Sequence, residues 1–213
     1  EAEAYLASGS VTAEKSAEHQ AAINAAVAAL EIVMPEEGKF YVLKCSYQDR
    51  YVYVNNENKL NYTQSFDPNA NAGKFVWQFE PVSDNKFKMK SVHTQSYMQT
   101  ITNGSHVTLG STGADVTLSR GAVAGTIKFE AGNTGIGIHA NADPIIGWTN
   151  TAGANHYFIE EVTSFSHTLA VGDSEWSTLV LGYNAEIPSE VNAYVVENVT
   201  SGWATLVKVE GVL

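Results

Sequence analysis

Lys39-Phe40-Tyr41-Val42-Leu43-Lys44, Lys86-Phe87-Lys88-Met89-Lys90 and Thr126-Ile127-Lys128-Phe129-Glu130 are short apolar strands that open three similar stretches of the chain. A second strand follows each, at Tyr51-Val52-Tyr53-Val54, Tyr97-Met98-Gln99 and Ile136-Gly137-Ile138. Each stretch closes on an alternating strand, Phe75-Val76-Trp77-Gln78-Phe79, Val116-Thr117-Leu118 or Tyr157-Phe158-Ile159. Phe87 to Ile127 is 40 residues, and so is Leu118 to Phe158. Self-similarity at a fixed period of this size marks a repeat architecture. One unit of this length cannot bury its apolar face alone, so the three are expected to share one interior around a pseudo-threefold axis. The region 38–163 therefore reads as one mainly β domain.

The flanks read differently. Residues 1–36 are predicted helical: Gly9 is a stop, Ser10 or Thr12 supplies an N-cap oxygen, and Glu14 falls in the favourable first turn. Ile23, Ala26, Val27 and Leu30 fall at helical spacing and form one apolar stripe, which Pro35 ends. Two short helices make a hairpin too small to hold a core, so the stripe is expected to pack on a neighbour. Residues 164–213 read as a small β-module. Trp176-Ser177-Thr178-Leu179-Val180-Leu181 is echoed by Trp203-Ala204-Thr205-Leu206-Val207-Lys208, with Ile187-Pro188 and Ala193-Tyr194-Val195-Val196 between them. The pairing of Trp176 with Trp203 favours a structural role for both. The module has a marginal core for its size and is expected to lean on the first domain or to be a truncated piece of something longer.

The totals narrow the function. The 213 residues carry 44% hydrophobic and only 16% charged residues, which is a globular composition. A formal net charge of −11 repels phosphate backbones, so nucleic acid is not the expected partner. No stretch reaches the ~18 apolar residues of a membrane span, so no membrane insertion is expected. The single cysteine, Cys45, lies in an apolar strand and reads as a small buried hydrophobe. Asn103-Gly104 is a hairpin signal, and Asp67–Gly73 and Asn150–Asn155 are longer polar loops.

Taken with the closing element Phe75–Val82 and its loose echo Asn155–Val162, the three strand openings resemble a ricin-type β-trefoil. That family closes its units on glutamine, any residue, then tryptophan. Here only Val76-Trp77 of the signature survives. The resemblance implies a carbohydrate-binding-like fold: a β-trefoil preceded by a short α-helical hairpin and followed by a small β-module. The alanine-rich lead into Met34–Tyr41, and the module around Trp176 and Ala193-Tyr194, look like parts of large secreted proteins of gut Bacteroidetes. Many of those are glycoside hydrolases. What this implies is an accessory region of an exported protein, extracellular or on a bacterial cell surface, with neighbouring domains of a parent chain and a glycan as partners.

A site for a neutral sugar needs an exposed aromatic face for the pyranose and nearby polar groups for its hydroxyls. The third unit fits that order best, with His139 and Asp143, then Trp148, then Asn150 and Asn155. Trp148 follows Gly147 and precedes a polar loop, which suits exposure; burial statistics favour instead a tryptophan packed under a loop. The first unit offers Asp49 and Tyr62, beside Tyr47, Gln48, Arg50 and Gln64, although Asp49-Arg50 reads equally as a surface ion pair. The second offers His93, Gln95 and Asn103 without a stacking aromatic, because Tyr97 lies on a strand. Trp77 and Phe79 read as core.

Catalysis finds no support in the motifs. Glu80, Asp115, Glu130 and Asp143 show no spacing that singles out a general acid–base pair. The six histidines show no metal-ligand spacing, and His139 with Asp143 is only a loose pair. No cofactor is expected. The leading expectation is a non-catalytic glycan-binding region. The alternative is a structural or protein-interaction spacer, and a protease-inhibitor trefoil is weaker because no inhibitory loop is identifiable.

Overall fold

The computed structural model describes residues 2–7, 12–29, 34–168, 184–200, 202–209 and 211–212. The chain divides into two compact units, 1–168 and 169–213.

The first unit contains twelve strands in one sheet system. The first repeat supplies β1 (Tyr41–Cys45), β2 (Arg50–Val54), β3 (Leu60–Thr63) and β4 (Val76–Ser83). The second supplies β5 (Lys86–Ser91), β6 (Tyr97–Met98), β7 (Leu109–Gly110) and β8 (Val116–Arg120). The third supplies β9 (Ile127–Ala131), β10 (Ile136–His139), β11 (Ile146–Thr149) and β12 (Tyr157–Glu161). In every repeat the first strand pairs with its own last strand: β1 with β4, β5 with β8, β9 with β12. Each last strand also pairs with the next first strand, β4 with β5, β8 with β9 and β12 with β1. Six strands thus close into a barrel with no open edge, which removes the unpaired ladder groups that an open sheet would expose.

The inner hairpins β2–β3, β6–β7 and β10–β11 meet at the other end. There the backbone closes a three-membered ring of hydrogen bonds. Leu60 N donates to Val107 O at 2.9 Å, Val107 N to Ile145 O at 3.0 Å, and Ile145 N to Leu60 O at 2.8 Å. One residue from each repeat takes part, and all three are buried. This is the pseudo-threefold axis expected from the 40-residue period. The fold is a β-trefoil.

Alternation explains the interior. In β4 Trp77 and Phe79 turn inward, and in β9 Ile127 and Phe129 do. The Phe79 ring meets Phe87, Phe129 and Tyr41 edge-on or stacked at 5.7–6.3 Å between centroids. Cys45 is fully buried, and burial pushes its thiol up to about 11. It is an apolar filler, not a nucleophile.

Before the barrel lie α1 (Ala2–Ala7) and α2 (Ala13–Ala29). Thr12 is the cap, since its Oγ1 accepts from Lys15 N at 3.3 Å. Gly9, Ser10 and Leu30 lie outside the described residues, as do the side chains of Ala26 and Val27. Of the apolar stripe only Ile23 can be placed, and it is exposed. The expected packing on a neighbour is not made at that residue.

In the second unit β13 (Ala193–Thr200) and β14 (Trp203–Val209) form an antiparallel ribbon with a bulge between Val196 and Asn198. Trp176 and its strand pattern lie outside the described residues. Trp203 corrects the expectation of a structural tryptophan, because it is 82% exposed. Among the described residues of this unit, the ribbon faces no second layer in which to bury a ring.

Candidate functional site

The three repeats superpose by strand register, and the comparison isolates one place on the surface. In the third repeat Glu130 of β9, Gly137 of β10 and Trp148 of β11 lie side by side. The equivalent rows are Lys44, Tyr51 and Thr63 in the first repeat, and Lys90, Tyr97 and Gly110 in the second. In those two repeats the aromatic ring is in the middle strand and a lysine ammonium lies over it, Lys44 at 5.7 Å and Lys90 at 5.6 Å. In the third repeat the order is reversed: the aromatic moves to the outer strand, the middle position shrinks to glycine, and the cation becomes an acid.

Trp148 is 42% exposed, so the loop-packing alternative does not hold. Its ring lies 6.2 Å from that of His139, which is on the same face two residues from its cross-strand partner Gly137. Gly137 is needed here: a Cβ would come within 2.9 Å of Phe129 O and 3.0 Å of Asn155 Nδ2. The tight middle strand leaves room for the row behind it.

That row is held by two hydrogen-bonded sets, one around Asn155 and one around Glu130. Asn155 Nδ2 donates to Trp148 O at 3.2 Å, so Asn155 Oδ1 faces His139 Nδ1 at 2.6 Å and must accept from it. The imidazole therefore donates through Nδ1, and its Nε2 is turned away from Asn155. Asn150 Nδ2 donates to Glu130 Oε1 in a short contact, and Gly135 N donates to Oε2 at 3.2 Å. Gly135 holds φ +78°, a conformation that L side chains rarely adopt, and its carbonyl accepts from Asn150 N at 2.9 Å. Glu130, Asn150 and His139 are half-buried around an exposed indole. The arrangement presents an apolar face rimmed by oriented donors and acceptors.

Each residue singled out in the sequence has a definite place. His139, Trp148 and Asn150 are brought together. Asn155 is 1% exposed, so it orients His139 and Trp148 and does not itself reach a ligand. Asp143 is exposed, accepts from Asn61 Nδ2 at 2.7 Å and is not part of either hydrogen-bonded set. Glu130 was legible only as one carboxylate among several. The signal that marks it is an acid at the end of an apolar strand, followed by a glycine-rich turn and a second glycine in the next strand.

The first-repeat candidates do not form a site. Asp49 is exposed and pairs with Lys44 Nζ at 2.9 Å, not with Arg50. Tyr62 faces the other way from Thr63, as alternation requires, and packs against the core. Arg50 is 8% exposed, and its guanidinium lies 4.3 Å from the Tyr62 ring centroid and 4.9 Å from that of Tyr47. It donates to Asn141 Oδ1 at 2.9 Å and to Ala140 O, tying the first repeat to the third. In the second repeat Tyr97 is half-buried and donates its hydroxyl to Glu80 at 3.0 Å, while His93 pairs with His167.

The other carboxylates noted in the sequence are held separately: Glu80 by Tyr97 and Asp115 by Lys88 at 2.7 Å. Among the described residues no group of three His, Cys, Asp or Glu side chains is placed to hold a metal. No described helix is long and apolar enough to cross a membrane.

No family model matches the chain, and no curated protein matches it. Solved structures do. A ricin B-like lectin of Macrolepiota procera, solved with lactose, is 12% identical with a TM-score of 0.52, covering 60% of this chain and 99% of its own. The BEL β-trefoil is 12% identical with a TM-score of 0.52, covering 61% of this chain and 97% of its own. The designed threefold-symmetric ThreeFoil is 12% identical with a TM-score of 0.50, covering 58% of this chain and 99% of its own. At this identity the likeness is one of fold: the chain shares the β-trefoil of these proteins.

Proposed function

We propose that the chain is a non-catalytic glycan-binding region and that its third repeat carries the site. The observation behind this reading is the exposed indole of Trp148, set beside Glu130, Asn150 and His139 in the one repeat where no lysine covers the aromatic. An indole face takes the C–H face of a pyranose, and the rim groups bond its hydroxyls. That a fungal lectin of the same fold was solved with lactose is consistent with this use of the scaffold.

The parent context is part of the proposal. We read the helical lead-in and the C-terminal β-module as similar to segments of exported glycan-degrading proteins of gut Bacteroidetes, and on that reading the chain works outside the cell or on its surface. Its partners there are an oligosaccharide or glycoprotein sugar and the parent's other domains.

A second reading, a spacer without sugar binding, draws on one observation: two of the three equivalent rows are plugged by a lysine over a tyrosine. A glycan array run with the chain and its Trp148→Ala variant separates the two. Sugar binding that the variant loses by at least tenfold, about 1.4 kcal/mol, supports the site. Binding that survives the substitution removes the third-repeat assignment, and a blank array for the unmutated chain favours the spacer.

A further inference from the structure

The first repeat carries a cavity of about 320 Å³, lined by Tyr53, Thr63, Ser65, Asp67, Lys74 and Phe75. By register it occupies the place that Trp148 and His139 hold in the third repeat, since Tyr51 faces Thr63 and Tyr53 faces Asn61. The chemistry there is reversed. The row that is Glu130, Gly137 and Trp148 in the third repeat is Lys44, Tyr51 and Thr63 here.

The decisive group is Lys74. It is half-buried, and its ammonium lies 4.9 Å from the Tyr53 ring centroid and 5.2 Å from that of Phe75. Lys39, Lys44, Lys59 and Lys88 each have a carboxylate within 4.0 Å; Lys74, like Lys86, Lys90 and Lys128, has none among the described residues, and of these it is the one that lines the cavity. A cation partly removed from water and supported only by ring faces gains from an anion brought into the cavity beside it. The acidic lining residue is turned onto its own loop, with Asp67 Oδ1 accepting from Asn69 N at 2.8 Å. Asp143, whose charge is felt at Tyr53, already accepts from Asn61. Burial, then Asp143, raise the Tyr53 phenol above its usual value, so it stays a hydrogen-bond donor. The hydroxyls of Thr63 and Ser65 complete a donor-rich wall around one ammonium.

We propose that this cavity takes an acidic saccharide, a sugar bearing a carboxylate or a sulfate, whose anionic group becomes the counter-ion of Lys74. The inference rests on the reading of the chain as a glycan-binding region. It differs from that reading in the repeat used and in the charge of the ligand.

The test is an amide-resolved NMR titration of the full chain with glucuronic acid, glucose 6-sulfate and neutral glucose. The amides of Ser65, Lys74 and Phe75 should shift with at least one acidic sugar and not with glucose, and added salt should weaken the response. Which acid acts distinguishes carboxylate from sulfate. Lys74→Met, which keeps the stem against the rings, should weaken that binding at least tenfold. Lys74→Arg should retain it. Equal binding by Lys74→Met, an equal response to glucose, or no response to either acid overturns the proposal. So does an equal response to inorganic sulfate, which would reveal an adventitious ion only. The Trp148 indole N–H reports that the variants remain folded. Its silence toward neutral glycans would count against the third-repeat site, while the Lys74 amide decides this one separately.

Discussion

Two residues of the third repeat do opposite jobs although both were read as ligand contacts. Trp148 exposes its ring, so Trp148→Ala should weaken sugar binding at least tenfold yet change stability by less than about 1 kcal/mol, as measured by denaturant unfolding. Asn155 is buried and makes two side-chain hydrogen bonds, to Trp148 O and with His139 Nδ1. Asn155→Ala leaves both partners without their mate inside the protein. It should cost about 1–3 kcal/mol of unfolding free energy, visible as a lowered denaturant midpoint. Sequence shows Trp148 just before a polar loop and Asn155 at the end of it. It does not show which one the 153–155 turn folds inward.

The segment after β12 is a strap laid back across the 67–73 loop. Ser166 N donates to Pro68 O at 2.8 Å, and Gly73 N to Ser166 O at 3.0 Å. Asn71 N donates to Ser166 Oγ at 2.9 Å, and Thr168 N to Asn71 Oδ1 at 3.2 Å. His93 Nδ1 and His167 Nε2 lie 2.9 Å apart, an arrangement that allows a single shared proton between them. Both imidazoles are held below their usual value. Burial is the first cause for each, followed by Lys74 for His93 and by His93 for His167. The unfolded chain takes up protons below about pH 6.5 while the docked strap resists them. The strap's contribution is therefore present above that pH and is lost as pH falls through the lowered folded values. Hydrogen exchange at Gly73 and Thr168, corrected for intrinsic rates, should accelerate at pH 5 relative to pH 7.5. His93→Gln should flatten the difference; an unchanged slope in that variant would show that other groups set it.

Closure makes the trefoil cooperative. Each repeat pairs with the next, and the Leu60–Val107–Ile145 ring locks the three hairpins together. No repeat has an interior of its own. Phe79 belongs to the first repeat but touches Phe87 of the second and Phe129 of the third. Phe79→Ala should cost about 3–5 kcal/mol and lower the unfolding of all three repeats in one transition. Circular dichroism of the strands and fluorescence of buried Trp77 should report the same midpoint; separate midpoints would mean that the repeats unfold independently.

Local periodicity alone determined that 39–162 is a threefold β repeat with Trp77 and Phe79 inside, because alternation places every second residue on one face whatever the final packing. The third strand of each repeat, β3, β7 and β11, escaped that reading. Only the tertiary structure decided the surface. Whether a row reads Lys–Tyr–Thr or Glu–Gly–Trp depends on three strands brought side by side from separate points in a repeat. Whether Arg50 is a surface ion or a buried tie depends on Ala140 and Asn141, 90 and 91 residues away. Burial follows from the spacing of neighbours along the chain; a site follows from contacts between segments that the linear order keeps apart.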